Sequence, residues 1–162
     1  SDLFGDDVFL NSMPMIRDIA RGLKQYGIRP EIEVFDTGMI DNALRLIGEG
    51  LLEEPLHFDF VLGVPGAMGA SVRNLEFLVN SIPEGSTWSV AGIGRHELPL
   101  AIYALENCGH VRVGLEDNIY LKRGVLAEGS FQLVELVVEE AQKRGRIIAD
   151  PIAARPILGI TS

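Results

Sequence analysis

The chain is 162 residues long, with 47% hydrophobic and 23% charged residues, the composition of a globular domain and not of a disordered or collagen-like chain. Fourteen Lys and Arg against twenty-three Asp and Glu leave a net charge of −9, which repels phosphate backbones and anionic lipid surfaces, so neither nucleic acid nor membrane is expected as a partner. The single cysteine, Cys108, excludes an internal disulfide, no apolar stretch approaches the roughly 20 residues that cross a bilayer, and a reducing cytoplasm is the expected compartment.

The opening Ser1-Asp2-Leu3-Phe4-Gly5-Asp6-Asp7 lacks the basic start and apolar core of a secretory signal, and also an initiator Met, so it reads as the start of a processed or cut chain. Val8-Phe9-Leu10 is the first of several short apolar runs of strand length. Helical spacing follows in Met15, Ile16, Ile19, Ala20 and Leu23, with Pro14 where a first turn tolerates it and Gly27 where the helix should stop. Ile32-Glu33-Val34-Phe35 is the next strand, and Ile40, Ala43, Leu44 and Ile47 place a helix over Thr37 to Gly48. Phe58 to Leu62, Trp88 to Ala91 and Val111 to Val113 complete the strands, separated by helices over Val72 to Ser81 and Glu97 to Asn107. Phe131 to Lys143 and Pro151 to Leu158 close the chain as helices.

The five strand candidates begin near residues 8, 31, 58, 87 and 110, a spacing of 23 to 29 residues that suits βα units. Right-handed crossovers then make the sheet parallel, either as an open doubly wound sheet or as part of a (β/α)₈ TIM barrel. A barrel needs about eight strands and usually about 250 residues, so under that reading this is one α/β domain with roughly half the barrel absent.

Ligands of parallel β/α folds gather at the carboxyl ends of the strands. The last strand runs through His110, Arg112, Gly114 and Glu116 on one face, with Gly114 leaving space between Arg112 and Glu116. An arginine and a carboxylate on a buried strand face need each other, a ligand or a metal, and a buried ion pair that closes the core satisfies the same condition. Gly92-Ile93-Gly94-Arg95 follows a strand and precedes a helix, where backbone N–H groups and Arg95 suit a phosphate, as does a tight βα turn. In a barrel's carboxyl-terminal half this is a common phosphate position. Gly63 to Ser71 lacks the Gly-Lys-Ser/Thr ending of a P-loop. Asp36-Thr37-Gly38 spells an aspartic-protease signature, but a helix pattern follows at once, so Asp36 or Thr37 is read as a helix N-cap.

Gly109-His110-Val111-Arg112-Val113-Gly114-Leu115-Glu116-Asp117-Asn118 closely resembles the strongest motif of the β-keto acid cleavage enzymes. Pro30 to Gly38, Val61 to Gly66, Thr87 to Arg95 and Ala154 to Gly159 agree with the same family in order, so the resemblance covers nearly the whole chain and matches the carboxyl-terminal part of a complete (β/α)₈ barrel. It implies a zinc-dependent reaction of a β-keto acid with acetyl-CoA, giving acetoacetate and a new acyl-CoA. By position in the motif it implies Glu116 as the carboxylate zinc ligand, Arg112 and Asp117 as the pair managing proton transfer and oxyanion charge, and a glutamate of the Glu31-Ile32-Glu33 strand as a substrate-binding group. Glu33 is favoured because it lies nearer the loop; the other reading has one of these glutamates pointing outward at the barrel base. The family's other zinc ligands form a His-x-His pair, and this sequence has none: His57, His96 and His110 are widely separated and read as surface or helix-terminus residues. The chain alone is therefore expected to bind zinc weakly or not at all and to be inactive. Cys108 is expected to pack as a small apolar side chain and Trp88 to lie in the core. The 131–143 helix is apolar over much of its girth, which suggests a subunit interface in a homo-oligomer.

Overall fold

The structure is a computed structural model that describes residues 9–160. Helix α1 (Met13–Gln25) starts at Ser12, whose hydroxyl accepts the Met15 N–H, and carries Pro14 in its first turn. Gly27 adopts φ +63° just past its end, a conformation that costs glycine little. Strand β1 (Glu31–Val34) leads to α2 (Thr37–Gly48), capped by the Asp36 carboxylate accepting from Gly38 N–H at 3.1 Å. The Asp-Thr-Gly sequence is thus a helix start.

Strand β2 (His57–Leu62) is followed by α3 (Val72–Val79), and β3 (Thr87–Gly92) by a 3₁₀ turn over Gly94–His96 and α4 (Glu97–Glu106). Strand β4 (His110–Val111) precedes a hairpin of β5 (Tyr120–Lys122) and β6 (Val125–Leu126), then α5 (Ser130–Lys143) and α6 (Pro151–Ile157). The hairpin turns at Gly124, φ +77°, and was not anticipated from the sequence. Among the described residues no helix is long and apolar enough to cross a membrane.

The main sheet has four strands in the order β1-β2-β3-β4, every pair parallel. Sequential order with right-handed crossovers puts every connecting helix on the same face, whereas a doubly wound sheet reverses direction at a switch point and covers both faces. Residues of α2 (Ile40, Ala43, Leu46), α3 (Leu75, Leu78) and α4 (Leu100, Ala104) accordingly share one buried cluster with Val34, Phe58, Phe60, Leu62, Trp88 and Val90 of the strands. The fold class is α/β, and its architecture is four neighbouring strands of a TIM-type barrel. The doubly wound alternative is set aside by the strand order.

The expected strand at 8–10 is a correction. Val8 lies outside the described residues, and Phe9 and Leu10, each 74% exposed, precede α1 outside the sheet. A strand is stable only against a neighbour's ladder, and this segment runs directly into the Ser12 cap.

Candidate active site

Because side chains alternate along a strand, the faces of the sheet differ in kind. The apolar residues above face the helices. On the opposite face the register aligns Glu31, His57 and Thr87 in one row and Glu33, Asp59, Ser89 and His110 in the next. Arg112 lies just past β4, where its N–H donates to Val90 O at 3.1 Å and prolongs the ladder.

Arg112 gathers four carboxylates. Its Nη1 donates to Glu33 Oε1 at 2.6 Å and to Asp59 Oδ2 at 2.9 Å, its Nη2 lies 3.4 Å from Glu116 Oε2, and its Nε 3.4 Å from Asp117 Oδ2. Asp59 is fully buried, and its other oxygen accepts the Ser89 hydroxyl at 2.6 Å. Burial works against the guanidinium charge, but the hydrogen bonds to Glu33 and Asp59 together with the nearby Asp117 and Asp59 charges outweigh it and hold Arg112 above its ordinary pKa. Four acids around one base leave excess negative charge at the mouth of the sheet.

Asp117 is 7% exposed, and burial pushes its carboxyl pKa up. Arg112 opposes that shift, while Glu116, Asp59 and Glu33 add to it by like-charge repulsion. A carboxyl with raised pKa beside a fixed arginine can exchange a proton more readily near neutral pH than an exposed aspartate.

The Gly92–Arg95 loop touches this cluster through its backbone. Gly94 N–H donates to Asp117 O at 2.7 Å, so that donor is already engaged by the protein. At Gly92 a Cβ would lie 2.5 Å from the His96 carbonyl oxygen, which is why the 3₁₀ turn folds back only over glycine. Both glycines thus have a turn-forming reason to be there. Arg95 is exposed, its Nε donating to His96 Nε2 at 3.3 Å, and it is the loop's charged group open to a ligand.

The histidines lie away from Glu116. His57, at the amino end of β2, is buried and not a surface residue as expected; its Nδ1 is 2.8 Å from Thr87 Oγ1, and its Nε2 is 3.3 Å from Ser89 Oγ and from Glu31 Oε2. The hydrogen bond to His57 holds the Glu31 pKa below its usual range. Glu31 therefore serves the row beneath Arg112, while Glu33 reaches Arg112 itself. His110 packs with its ring centroid 5.9 Å from that of His57, and burial pushes its pKa down. Among the described residues no group of three or more His, Cys, Asp and Glu is arranged to hold a metal. The Glu116 side chain is 85% exposed, and its contact is with Arg112. One exposed carboxylate facing an arginine does not make a zinc site, which in catalytic centres takes about three protein ligands.

Sequence reasoning did not single out Asp59, Ser89 or Glu97. The signal for Asp59 was a lone acid inside Phe58-Asp59-Phe60-Val61-Leu62, where an unpaired charge would be costly. Cys108 also departs from expectation: it is exposed at φ +62°, in the turn that lets Gly109 pass beneath the Trp88 ring. Trp88 itself lies in the core.

Residues 1–160 match the beta-keto acid cleavage enzyme family. The chain belongs to that family. It is 51% identical over 156 residues to the 3-keto-5-aminohexanoate cleavage enzyme of Fusobacterium nucleatum, covering 96% of this chain and 57% of that protein. The 3-keto-5-aminohexanoate cleavage enzyme of Acetoanaerobium sticklandii is 46% identical over 157 residues, 97% of this chain and 58% of that protein. A 3-dehydrocarnitine:acetyl-CoA trimethylamine transferase of Rhizobium meliloti is 38% identical over 157 residues, 97% of this chain and 52% of that protein. The chain thus spans little more than half the length of these relatives.

Proposed function

We propose that this chain is a single α/β domain forming the carboxyl-terminal part of an enzyme that exchanges acyl groups between a β-keto acid and acetyl-CoA, releasing acetoacetate and a new acyl-CoA. The observation that carries the reading is the Arg112 cluster, in which a fully buried Asp59 fixes the guanidinium beside a buried Asp117 of raised pKa. In this reading Arg112 stabilises developing oxyanion charge, and Asp117 accepts and returns the proton.

The surplus of carboxylates favours a β-keto acid with a cationic end, and Glu33, 47% exposed at its side chain, is the group that binds it. The names of two relatives fit this reading, an aminohexanoate and a dehydrocarnitine both carrying an amine-derived group, whereas relatives of 37% and 30% identity are named for 3-oxoadipate and 3,5-dioxohexanoate, which carry none. Arg95, with the backbone of Gly92 and Gly94 shaping its loop, faces the CoA phosphates. Glu116 contributes one carboxylate to a zinc site that these 162 residues, which hold no His-x-His pair, do not complete, so the isolated chain is inactive. The intact enzyme works in the cytoplasm as a homo-oligomer joined partly through α5, whose Phe131 and Val134 are exposed.

The test is a coupled assay for acetoacetate with acetyl-CoA and a panel of cationic, neutral and anionic β-keto acids, using the intact protein. Acetoacetate should form fastest from a cationic substrate, and Asp117→Asn should lower kcat about 10²–10⁴-fold. No acetoacetate from any β-keto acid in the panel would overturn the proposal.

A further inference from the structure

Glu97 is the first residue of α4, where a carboxylate ordinarily stands in water against the helix dipole. Here it is 4% exposed. The cause lies in β3: with no room for a Cβ at Gly92, the backbone of His96 and Glu97 presses directly onto the strand end, so the Glu97 side chain is turned inward. It reaches the loop that follows β4. Oε2 accepts the Gly114 N–H at 3.2 Å, and Oε1 accepts Asn118 Nδ2 at 3.0 Å.

Those contacts are the two ends of segment 114–118. Inside it, the N–H groups of Asp117 and Asn118 donate to Gly114 O at 3.1 and 3.0 Å, closing a tight turn. Asn118 continues outward, accepting from Tyr120 N–H at 3.0 Å and donating to Tyr120 O at 2.7 Å. Ser130 Oγ accepts the Leu115 N–H at 3.1 Å from α5. Glu116 and Asp117 therefore sit between two points gripped by one buried carboxylate.

We infer that Glu97 is a positioning residue that clamps the 114–118 loop and so sets Glu116 and Asp117 against Arg112. Its catalytic consequence rests on the function proposed above, whereas the clamp itself does not. The chemistry demands a carboxylate, because both partners are donors and only an ionised acid offers an acceptor to each. Glutamine at this place would turn an N–H toward one donor and leave it unsatisfied in a buried site. Burial raises the Glu97 pKa, and the two hydrogen bonds oppose that shift, as expected for a carboxylate kept inside for the bonds it accepts.

The experiment compares the intact protein with Glu97→Gln and with Glu97→Gln/Asn118→Asp, in which the new amide can donate to the new carboxylate. Three readouts are taken: amide hydrogen exchange across 112–122, thermal melting, and kcat and KM for acetoacetate formation. Glu97→Gln should raise exchange at 114–118 about tenfold while helices α2 and α3 stay protected, since the lost hydrogen bond is to a charged group. It should lower kcat about tenfold or more with KM nearly unchanged, and the double variant should restore part of the exchange protection and of kcat, because the carboxylate renews the bond to residue 97 but cannot donate to Tyr120 O as the Asn118 amide does. A merely structural role would lower the melting temperature without a kcat-specific loss or its rescue. Unchanged exchange at 114–118 in a folded Glu97→Gln protein overturns the clamp, and a loosened loop with wild-type kcat overturns its catalytic role. Where Glu97→Gln does not fold, Asn118→Ala releases one end of the clamp and is judged by the same readouts. If the parent protein shows no acetoacetate activity, exchange alone still decides whether the clamp exists.

Discussion

Strand β2 sets two chemistries back to back. Phe58, Phe60 and Leu62 face the helices and have essentially no exposed surface, while Asp59, fully buried, and His57, 9% exposed, face the other way. The helix side is held by apolar burial and tight ring contacts, with the Phe58–Phe60 and Phe60–Trp88 centroids both 6.2 Å apart. The inner side is held by specific partners: Asp59 has Arg112 and Ser89, and His57 has Thr87, Ser89 and Glu31. An apolar face tolerates approximate shape as long as volume is kept, but a buried charge tolerates no missing partner. The inner face is therefore held by charged groups that depend on one another, at some cost to stability.

The largest expected effect separates the two faces. Phe60→Ala removes a fully buried ring from the helix side and should destabilise by about 3–5 kcal/mol in urea unfolding. The Arg112 cluster should keep its contacts, so a Phe60→Ala protein that stays folded but loses the Arg112 cluster in a crystal structure would show that the faces are coupled.

On the inner face, Arg112→Met should destabilise by about 3 kcal/mol, because it leaves the Asp59 carboxylate buried with only the Ser89 hydroxyl. The double variant Asp59→Leu/Arg112→Met should recover part of that loss, since it removes the buried Asp59 charge while the buried Asp117 still lacks its arginine. Equal unfolding midpoints for the single and double variants would show that Asp59 does not depend on Arg112.

The smallest effect is a pH dependence at the foot of the inner face. Burial lowers the His110 pKa below the ordinary 6.5, with His57 and Arg146 adding to the shift, so the folded state binds a proton less readily than the unfolded one. That stability is fully present above the unfolded pKa of 6.5 and is lost as pH falls from there through the lower folded pKa. The urea midpoint should fall over that window, and His110→Gln should flatten the slope. A slope unchanged in His110→Gln would assign it to another group.

Elements whose signals are local were legible in the sequence. Pro14, Gly27, Asp36 and Pro151 mark helix ends through φ restriction or capping within a few residues, and the helices begin and end close to them. The Val8–Leu10 run looked equally clear and is not in the sheet over its described residues, because apolar composition does not supply a ladder neighbour. The hairpin at 120–126 was missed although Gly124 marked its turn, its strands being only three and two residues long.

The site divides in the same way. Arg112, Glu116 and Asp117 stand out in the sequence because they lie within one short motif, but the strand expected to run through Glu116 ends at Val111, and it is a turn closed on Gly114 O, not a period of two, that brings Glu116 and Asp117 to Arg112. Glu33 was favoured over Glu31 by its place nearer the loop, but that it meets Arg112 follows from the register of β1 on β2, which no local pattern specifies. Asp59 joins from 53 positions away and Glu97 from 17, so their partners exist only once β2, β3 and β4 are side by side.

What this sequence determines by itself is the succession of βα units, the caps that end its helices, and the motif that carries Arg112, Glu116 and Asp117, since each rests on residues near one another in the chain. What only the tertiary structure decided is the strand order, which places all the connecting helices on one side, and the pairing of Asp59 and Glu33 with Arg112 and of Glu97 with the 114–118 loop. The physical reason is that alternation assigns a side chain to a face, but only register and crossover geometry decide which distant charge it meets there.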